Sequence, residues 1–428
     1  MKKILKKVAL GILVLISIYG IGRFIDVSYG SYQFVPRQPY LVLQTQNAVT
    51  IKWQSKKEEV GRVAYGLTQE SMTNVRLENT TSKKHSLSIT NLKECTKYFY
   101  RVSASSLVID NEGRSFKTLC EKKEKQRLWV IGDSGQAGEN QQEVYHQMLE
   151  YINHDFNKLD MWILLGDNAY SSGTQKQYNK KLFKPFIELV KRYVPWAAPG
   201  NHDMRRWAFY DVWDFPTNAE SGGLPSHNEE FYSVEDGNLH LVMLDSETVS
   251  RSNDGEMAEW LKKDLSANTK PWVVIAFHTP PYTDGGHKSD NIFDSRGRLI
   301  EMRENFVPIF DEYGVDLVVS GHSHGYERSK LILNHIGKSD TFTAQNILQD
   351  SQSEYTKSTI EKENSGTIYQ VCGSSSKLDR ASYKHPALPV SMAEMGSLII
   401  EITPTTLTSK FLTIDGKIAD KFTITKEK

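Results

Sequence analysis

Cysteine is scarce, with three residues in a chain of 428. That count allows at most one intramolecular disulfide and rules out both a disulfide-stapled scaffold and a four-thiolate zinc or iron–sulfur site. Net charge is absent as well. Lysine plus arginine and aspartate plus glutamate number 52 each, so no overall field recommends a nucleic-acid partner or strong electrostatic steering. Long apolar runs are missing too. The most apolar stretch, Val8 to Gly22 in "MKKILKKVALGILVLISIYGIGRF", would cover about 23 Å as a helix, short of the ~30 Å hydrocarbon core. No internal repeat is visible.

What is present begins with that stretch. Four lysines precede the short apolar run, the pattern of a secretory signal. No clear small-x-small cleavage site follows, Gly20 and Gly22 being weak candidates, so residues 1–30 read either as a signal peptide or as an uncleaved membrane anchor. No cysteine follows the run, which argues against a lipoprotein. An exported location follows: periplasmic, cell-surface or secreted. With 39% hydrophobic residues, the remainder can build packed cores, and its length calls for more than one.

Residues 31–120 read as a small all-β domain. In "NAVTIKWQS", Val49, Ile51 and Trp53 alternate with polar neighbours, and Tyr98, Tyr100, Val102 and Ala104 do the same, the period of half-buried strands. Cys95 and Cys120 flank the last expected hairpin at matching distances from its turn, so a pairing between them is expected in an oxidising compartment. Cys372 reads as a buried free thiol. Residues 121–127, "EKKEKQR", form a charged linker.

From residue 128 to 428 strands alternate with helices, an α/β pattern. "RLWVIGDSG", "MWILLGDNAY", "VPWAAPGNHD", "PWVVIAFHTPPY" and "VDLVVSGHSHGYER" are apolar strands that each end in a polar group. A helix is expected near 178–193. The polar stretch 339–365 reads as a mobile surface insertion, with a lid over the site as the other reading. The tail, from "GSLIIEI" onward, should close a sheet with antiparallel strands.

The groups that follow these strands are Asp133, Asp167 with Tyr170, Asn201 with His202 and Asp203, His278, and His322 with His324. Ligand sites of open α/β sheets form outside the carboxyl ends of the strands, so these residues should converge. Carboxylates, an amide and imidazoles without a thiolate suit two neighbouring ions such as iron, manganese or zinc.

The series Gly-Asp-x-Gly, Gly-Asp-x-x-Tyr, Gly-Asn-His-Asp, a strand-ending histidine and Gly-His-x-His resembles the purple acid phosphatases, members of the calcineurin-like metallophosphoesterases. The run Leu92, Thr96, Tyr98, Tyr100, Val102 resembles a fibronectin type III domain, which precedes the catalytic domain in many members; Tyr98 would then form a tyrosine corner. The fold class implied is α/β: a metallophosphoesterase β-sandwich flanked by helices, behind a fibronectin type III-like sandwich. The resemblance implies that Asp133, Tyr170 and His324 bind Fe(III), that Asp167 bridges, and that Asn201, His278 and His322 bind Fe(II), Zn(II) or Mn(II). His202 and His287 become the catalytic or phosphate-binding histidines, with Glu327 and Arg328 as support. The implied reaction is hydrolysis of small phosphate monoesters by direct attack of metal-bound hydroxide. Two other readings stay open: a phosphodiesterase or nucleotide pyrophosphatase on the same core, and a surface binding protein with an inactive metal domain. His85, His146, His154, His227, His240, His335 and His385 lie in no such context and read as structural or exposed.

Overall fold

The computed structural model describes residues 2–206, 208–360, 363–380 and 382–427. The N-terminal segment is helical over Lys2–Tyr32. The side chains of its four leading lysines lie outside the described ones, whereas Leu13 and Leu15 stand about two-thirds exposed (64% and 67%). Among the described residues no helix is long and apolar enough to cross a membrane, so the anchor reading gains no support.

The all-β part is built on one long strand, Val49–Gly66. Its first half lies between Arg37–Gln44 and Asn74–Ile89, its second half between Asn74–Ile89 and Lys97–Ser103. Register shifts between Gln54 and Glu59 mark where it changes partners, as an irregularity that re-aims a strand does. Lys93 N donates to Tyr98 Oη at 3.0 Å, the tyrosine corner expected from the sequence. Cys95 and Cys120 are disulfide-bonded, and Cys372 is free and buried.

The α/β part is two seven-stranded sheets packed face to face. One runs Glu354–Ser358, Ile418–Glu427, Thr406–Thr413, Gly396–Ile402, Gln126–Ile131, Met161–Leu164, Pro195–Ala197. The other runs Val390–Met392, Tyr326–Arg328, Ile368–Cys372, Leu317–Ser320, Trp272–Phe277, Leu239–Met243, Tyr232–Asp236. Alternation explains the stacking. In Trp272–Phe277, Trp272, Val274 and Ala276 join the core between the sheets, while Val273, Ile275 and Phe277 pack with the helices Glu256–Ala267 and Arg298–Glu312. A strand buried on both faces reads as an unbroken apolar run, which is why these segments looked alike in the sequence. The tail closes the first sheet with antiparallel strands, Gly396–Ile402 pairing with Gln126–Ile131.

Three expectations are corrected. The stretch 339–365 is built into the fold: Ile347–Gln349 pairs with Leu331–Ile332, and Glu354–Ser358 adds a parallel edge strand to Ile418–Glu427. Tyr355 is 2% exposed, and buried Lys357 places Nζ 3.0 Å from Asp316. Two anchors suffice to tie a stretch whose composition is otherwise that of a loop; Glu361 and Lys362 lie outside the described residues. The helix near 178–193 is broken into Gln175–Tyr178, a π-turn at Asn179–Phe183 and Ile187–Val190. The charged linker is tied down as well, since Lys123 Nζ reaches Asp160 at 2.9 Å and Asp236 at 2.6 Å, and a sheet strand already starts at Gln126.

Candidate metal centre

Each functional side chain sits just past a strand end. Gln126–Ile131 delivers Asp133, Met161–Leu164 delivers Asp167 and Tyr170, and Pro195–Ala197 delivers Asn201 and His202. From the facing sheet, Trp272–Phe277 delivers His278 and Leu317–Ser320 delivers His322 and His324. Asp133, Asp167 and His322 take the left-handed backbone conformation, with φ of 54°, 53° and 68°. Such residues cost about 1–3 kcal/mol each and persist where the surroundings hold them. The turns also press together: a Cβ on Gly200 would stand 2.1 Å from Asp167 N, so only glycine fits there.

Two sets of donor atoms converge. In the first, Tyr170 Oη donates to Asp133 Oδ1 at 2.9 Å and lies 3.2 Å from His324 Nε2, which is 3.3 Å from the same Asp133 oxygen. In the second, His278 Nε2 lies 3.2 Å from Asn201 Oδ1, 3.1 Å from His322 Nδ1 and 3.6 Å from Asp167 Oδ1. Ligand atoms of Asp133, Asp167 and His278 fall within 4.8 Å of one another, so Asp167 stands between the sets.

The imidazoles are aimed by their other nitrogens, which fixes which atom faces the site. His278 Nδ1 bonds the Leu165 carbonyl at 2.8 Å. His324 Nδ1 lies 2.7 Å from Asp379 Oδ2, and His322 Nε2 bonds Ser295 Oγ at 2.6 Å. His202 Nδ1 bonds the Ser171 carbonyl at 2.7 Å, leaving Nε2 3.8 Å from Asp167 Oδ2. His287 stacks on His322 with ring centres 3.8 Å apart. All nine residues singled out by the sequence are therefore neighbours.

The electrostatics call for cations. Burial and the nearby Asp133 hold the Asp167 carboxyl above the usual range. Burial together with Asp133 and Asp167 raises the Tyr170 phenol well above its ordinary value. Burial lowers His278, but Asp167, Asp133 and Glu247 outweigh it and push the ring up to about 9. Two buried carboxylates and a phenol beside imidazoles form a donor set that positive ions would neutralise, and a bound cation reverses the phenol's preference for its proton.

Sequence reasoning overlooked three supporting residues, Asp379, Asp294 and Ser295, and gave a fourth, Asp203, no role. Asp203 ties the second and third turns together, accepting from the backbone N–H groups of Asn168, Ala169 and Gly200 and from Tyr178 Oη. Its signal was its place in Gly-Asn-His-Asp. Asp379, Asp294 and Ser295 belong to no motif and come close only through the fold. Of the expected supports, Glu327 accepts from Asp284 N at 2.9 Å and so braces the loop that carries His287. Arg328 instead pairs with Asp420 at 2.5 Å, pinning the tail strand. A cavity of about 390 Å³ opens beside Asn201, lined by Arg205, Arg296, Arg298 and the exposed Phe293 among others. A larger one, about 510 Å³, is lined by residues such as Lys97, Phe116 and Arg192 and by none of the donor residues.

Comparison with known proteins agrees with this architecture. The family described as calcineurin-like phosphoesterase matches residues 126–326, and the purple acid phosphatase N-terminal domain matches residues 36–118. Purple acid phosphatase 18 of Arabidopsis thaliana is 28% identical over 329 residues, covering 72% of this chain and 68% of that protein. Purple acid phosphatase 15 of the same plant is 28% identical over 287 residues, covering 59% of this chain and 50% of that protein, so the chain spans half the length of that relative. Among solved structures, a purple acid phosphatase from yellow lupin (Lupinus luteus) seeds shares the fold with a TM-score of 0.73 at 17% identity, over 92% of this chain and 75% of that one. The purple acid phosphatase N-terminal domain and a calcineurin-like phosphoesterase core are thus matched one after the other along the chain, and the fold is shared with a solved purple acid phosphatase.

Proposed function

We propose that the chain hydrolyses small phosphate monoesters at a pair of metal ions. Asp133, Tyr170 and His324 hold one ion, Asn201, His278 and His322 the other, and Asp167 bridges. The observation that carries this reading is the convergence of two donor sets on one shared carboxylate. When bound, two ions clamp a phosphate, neutralise its charge and make water nucleophilic at mild pH. The protein does the rest. The backbone N–H of His202 holds Asp167 Oδ1 at 2.8 Å, fixing the bridge. His202, beside Asp167, is placed to bind the phosphate, and His287, stacked over His322, is placed to give a proton to the departing ester oxygen. The cavity beside Asn201 leaves room for the rest of the substrate.

The finer parts of the reading are Fe(III) in the phenolate set with Fe(II), Zn(II) or Mn(II) in the other, and export. The lysine-then-apolar N-terminus and the Cys95–Cys120 disulfide support export. The division into residues 1–30, 31–120, 121–127 and 128–428 belongs to the same reading. The test is the visible spectrum and metal content of the purified chain, with turnover of a monoester and a diester. A purple band that disappears in Tyr170→Phe, with iron present and the monoester preferred, is expected. A colourless protein with two manganese or zinc ions that prefers the diester would replace this reading with the phosphodiesterase one.

A further inference from the structure

We propose that Asp294 and Ser295 are positioning residues that hold the proton donor His287 and the metal-site histidine His322 as one unit. This rests on the phosphatase reading above. Asp294 Oδ1 accepts from His287 Nδ1 at 2.7 Å and from Ser295 Oγ at 2.8 Å, and Asp294 Oδ2 accepts from Lys288 N at 2.8 Å. Ser295 Oγ in turn accepts from His322 Nε2 at 2.6 Å. One carboxylate therefore grips the loop histidine directly and the metal-site histidine through a hydroxyl. The two rings lie nearly parallel, 14° apart, with centres 3.8 Å apart.

The chemistry follows from which nitrogen is taken. A carboxylate on Nδ1 fixes the tautomer and leaves Nε2 as the free nitrogen. During hydrolysis the ester P–O bond breaks, the departing oxygen takes the Nε2 proton of His287, and a proton of the attacking water restores the imidazolium. A ring free to tilt would spend much of its time out of reach, and positioning of this kind decides how much of the donor's effect is realised. The local backbone is consistent with that demand: Ser295 and Arg296 are consecutive left-handed residues, φ 49° and 60°, a conformation that costs energy and persists where contacts hold it. Ligand atoms of His287, Asp294 and His322 lie close enough to suggest a third cation, but the hydrogen bonds named already occupy both Asp294 oxygens.

The test uses the metal-loaded full chain and two esters. p-Nitrophenyl phosphate releases a phenolate that needs no proton to leave; glycerol 1-phosphate releases an alkoxide that does. In Asp294→Asn, kcat on glycerol 1-phosphate should fall about 10- to 100-fold, while kcat on the nitrophenyl ester changes less than about threefold. KM should stay as in the wild type when both metal sites are kept saturated. His287→Asn should show the same pattern, and the double variant should be no worse than His287→Asn alone. Ser295→Ala, which leaves Asp294 in place, should weaken the second ion by about tenfold in a metal titration. Equal losses on both esters, or additive effects of the two substitutions, overturn the proposal. If Asp294→Asn does not fold, an unchanged metal titration for Ser295→Ala overturns it alone. A wild-type chain that turns over neither ester is a different failure, that of the phosphatase reading itself.

Discussion

Two buried clusters in this protein use the same chemistry to opposite ends. At the metal centre, imidazoles meet Asp133 and Asp167. On the outer side of the second sheet, His240 meets Asp264 at 2.7 Å and Glu235 at 3.4 Å. Both clusters are buried histidines facing carboxylates. The difference is in how the nitrogens are used. His240 turns each nitrogen toward an acid, so the cluster is closed. His278, His322 and His324 each spend one nitrogen on a brace and leave the other pointing at further ligand atoms. A histidine with one nitrogen tied and one converging on others belongs to a ligand site; one with both tied belongs to the scaffold.

Removing Asp167, the proposed bridge, should separate the clusters most sharply. Asp167→Ala should lower phosphatase activity by roughly a thousandfold or more, because the ions supply several kcal/mol of charge stabilisation. Its metal content should fall while circular dichroism stays native. A variant that keeps both ions would show that Asp167 does not bridge.

A smaller loss should follow from loosening one brace. Asp379→Asn leaves His324 without its ionic partner and should weaken the ion of the phenolate set by about 10- to 100-fold, read by chelator competition and by fading of the visible band. Unchanged retention would mean that the 2.7 Å contact is incidental.

The smallest effect belongs to the closed cluster and appears in stability. Burial lowers His240, but Asp264 and Glu235 outweigh it and push the ring up to about 9. A folded value above the ordinary ~6.5 means stabilisation that is complete below about pH 6.5 and lost as pH rises through about 9. Urea midpoints should therefore fall between pH 6.5 and 9.5 in the wild type and change less in His240→Gln, with hydrolysis unaffected. Parallel pH curves for the two proteins would reject the role given to this charge.

The legible part of the site was the part written at strand ends. Gly-Asp, Gly-Asn-His-Asp and Gly-His-Ser-His stand out because a ligand that leaves a buried strand needs a glycine for the turn and a polar group immediately after it. The illegible part was the bracing. Asp379 lies 55 positions from His324, and Asp294 and Ser295 fall within a loop whose composition is that of any solvated turn. Nothing local distinguishes them.

By itself the sequence determined the two cores, the strands buried on both faces, the tyrosine corner and the residues that reach the centre, because each depends on a short-range pattern of apolar and polar positions. Tertiary structure alone decided which nitrogen of each histidine faces inward, that the polar stretch near 350 becomes an edge strand, and that Asp379 and Asp294 serve the site. These depend on partners far apart in the chain, and only the packing of one sheet on the other brings them within hydrogen-bonding distance.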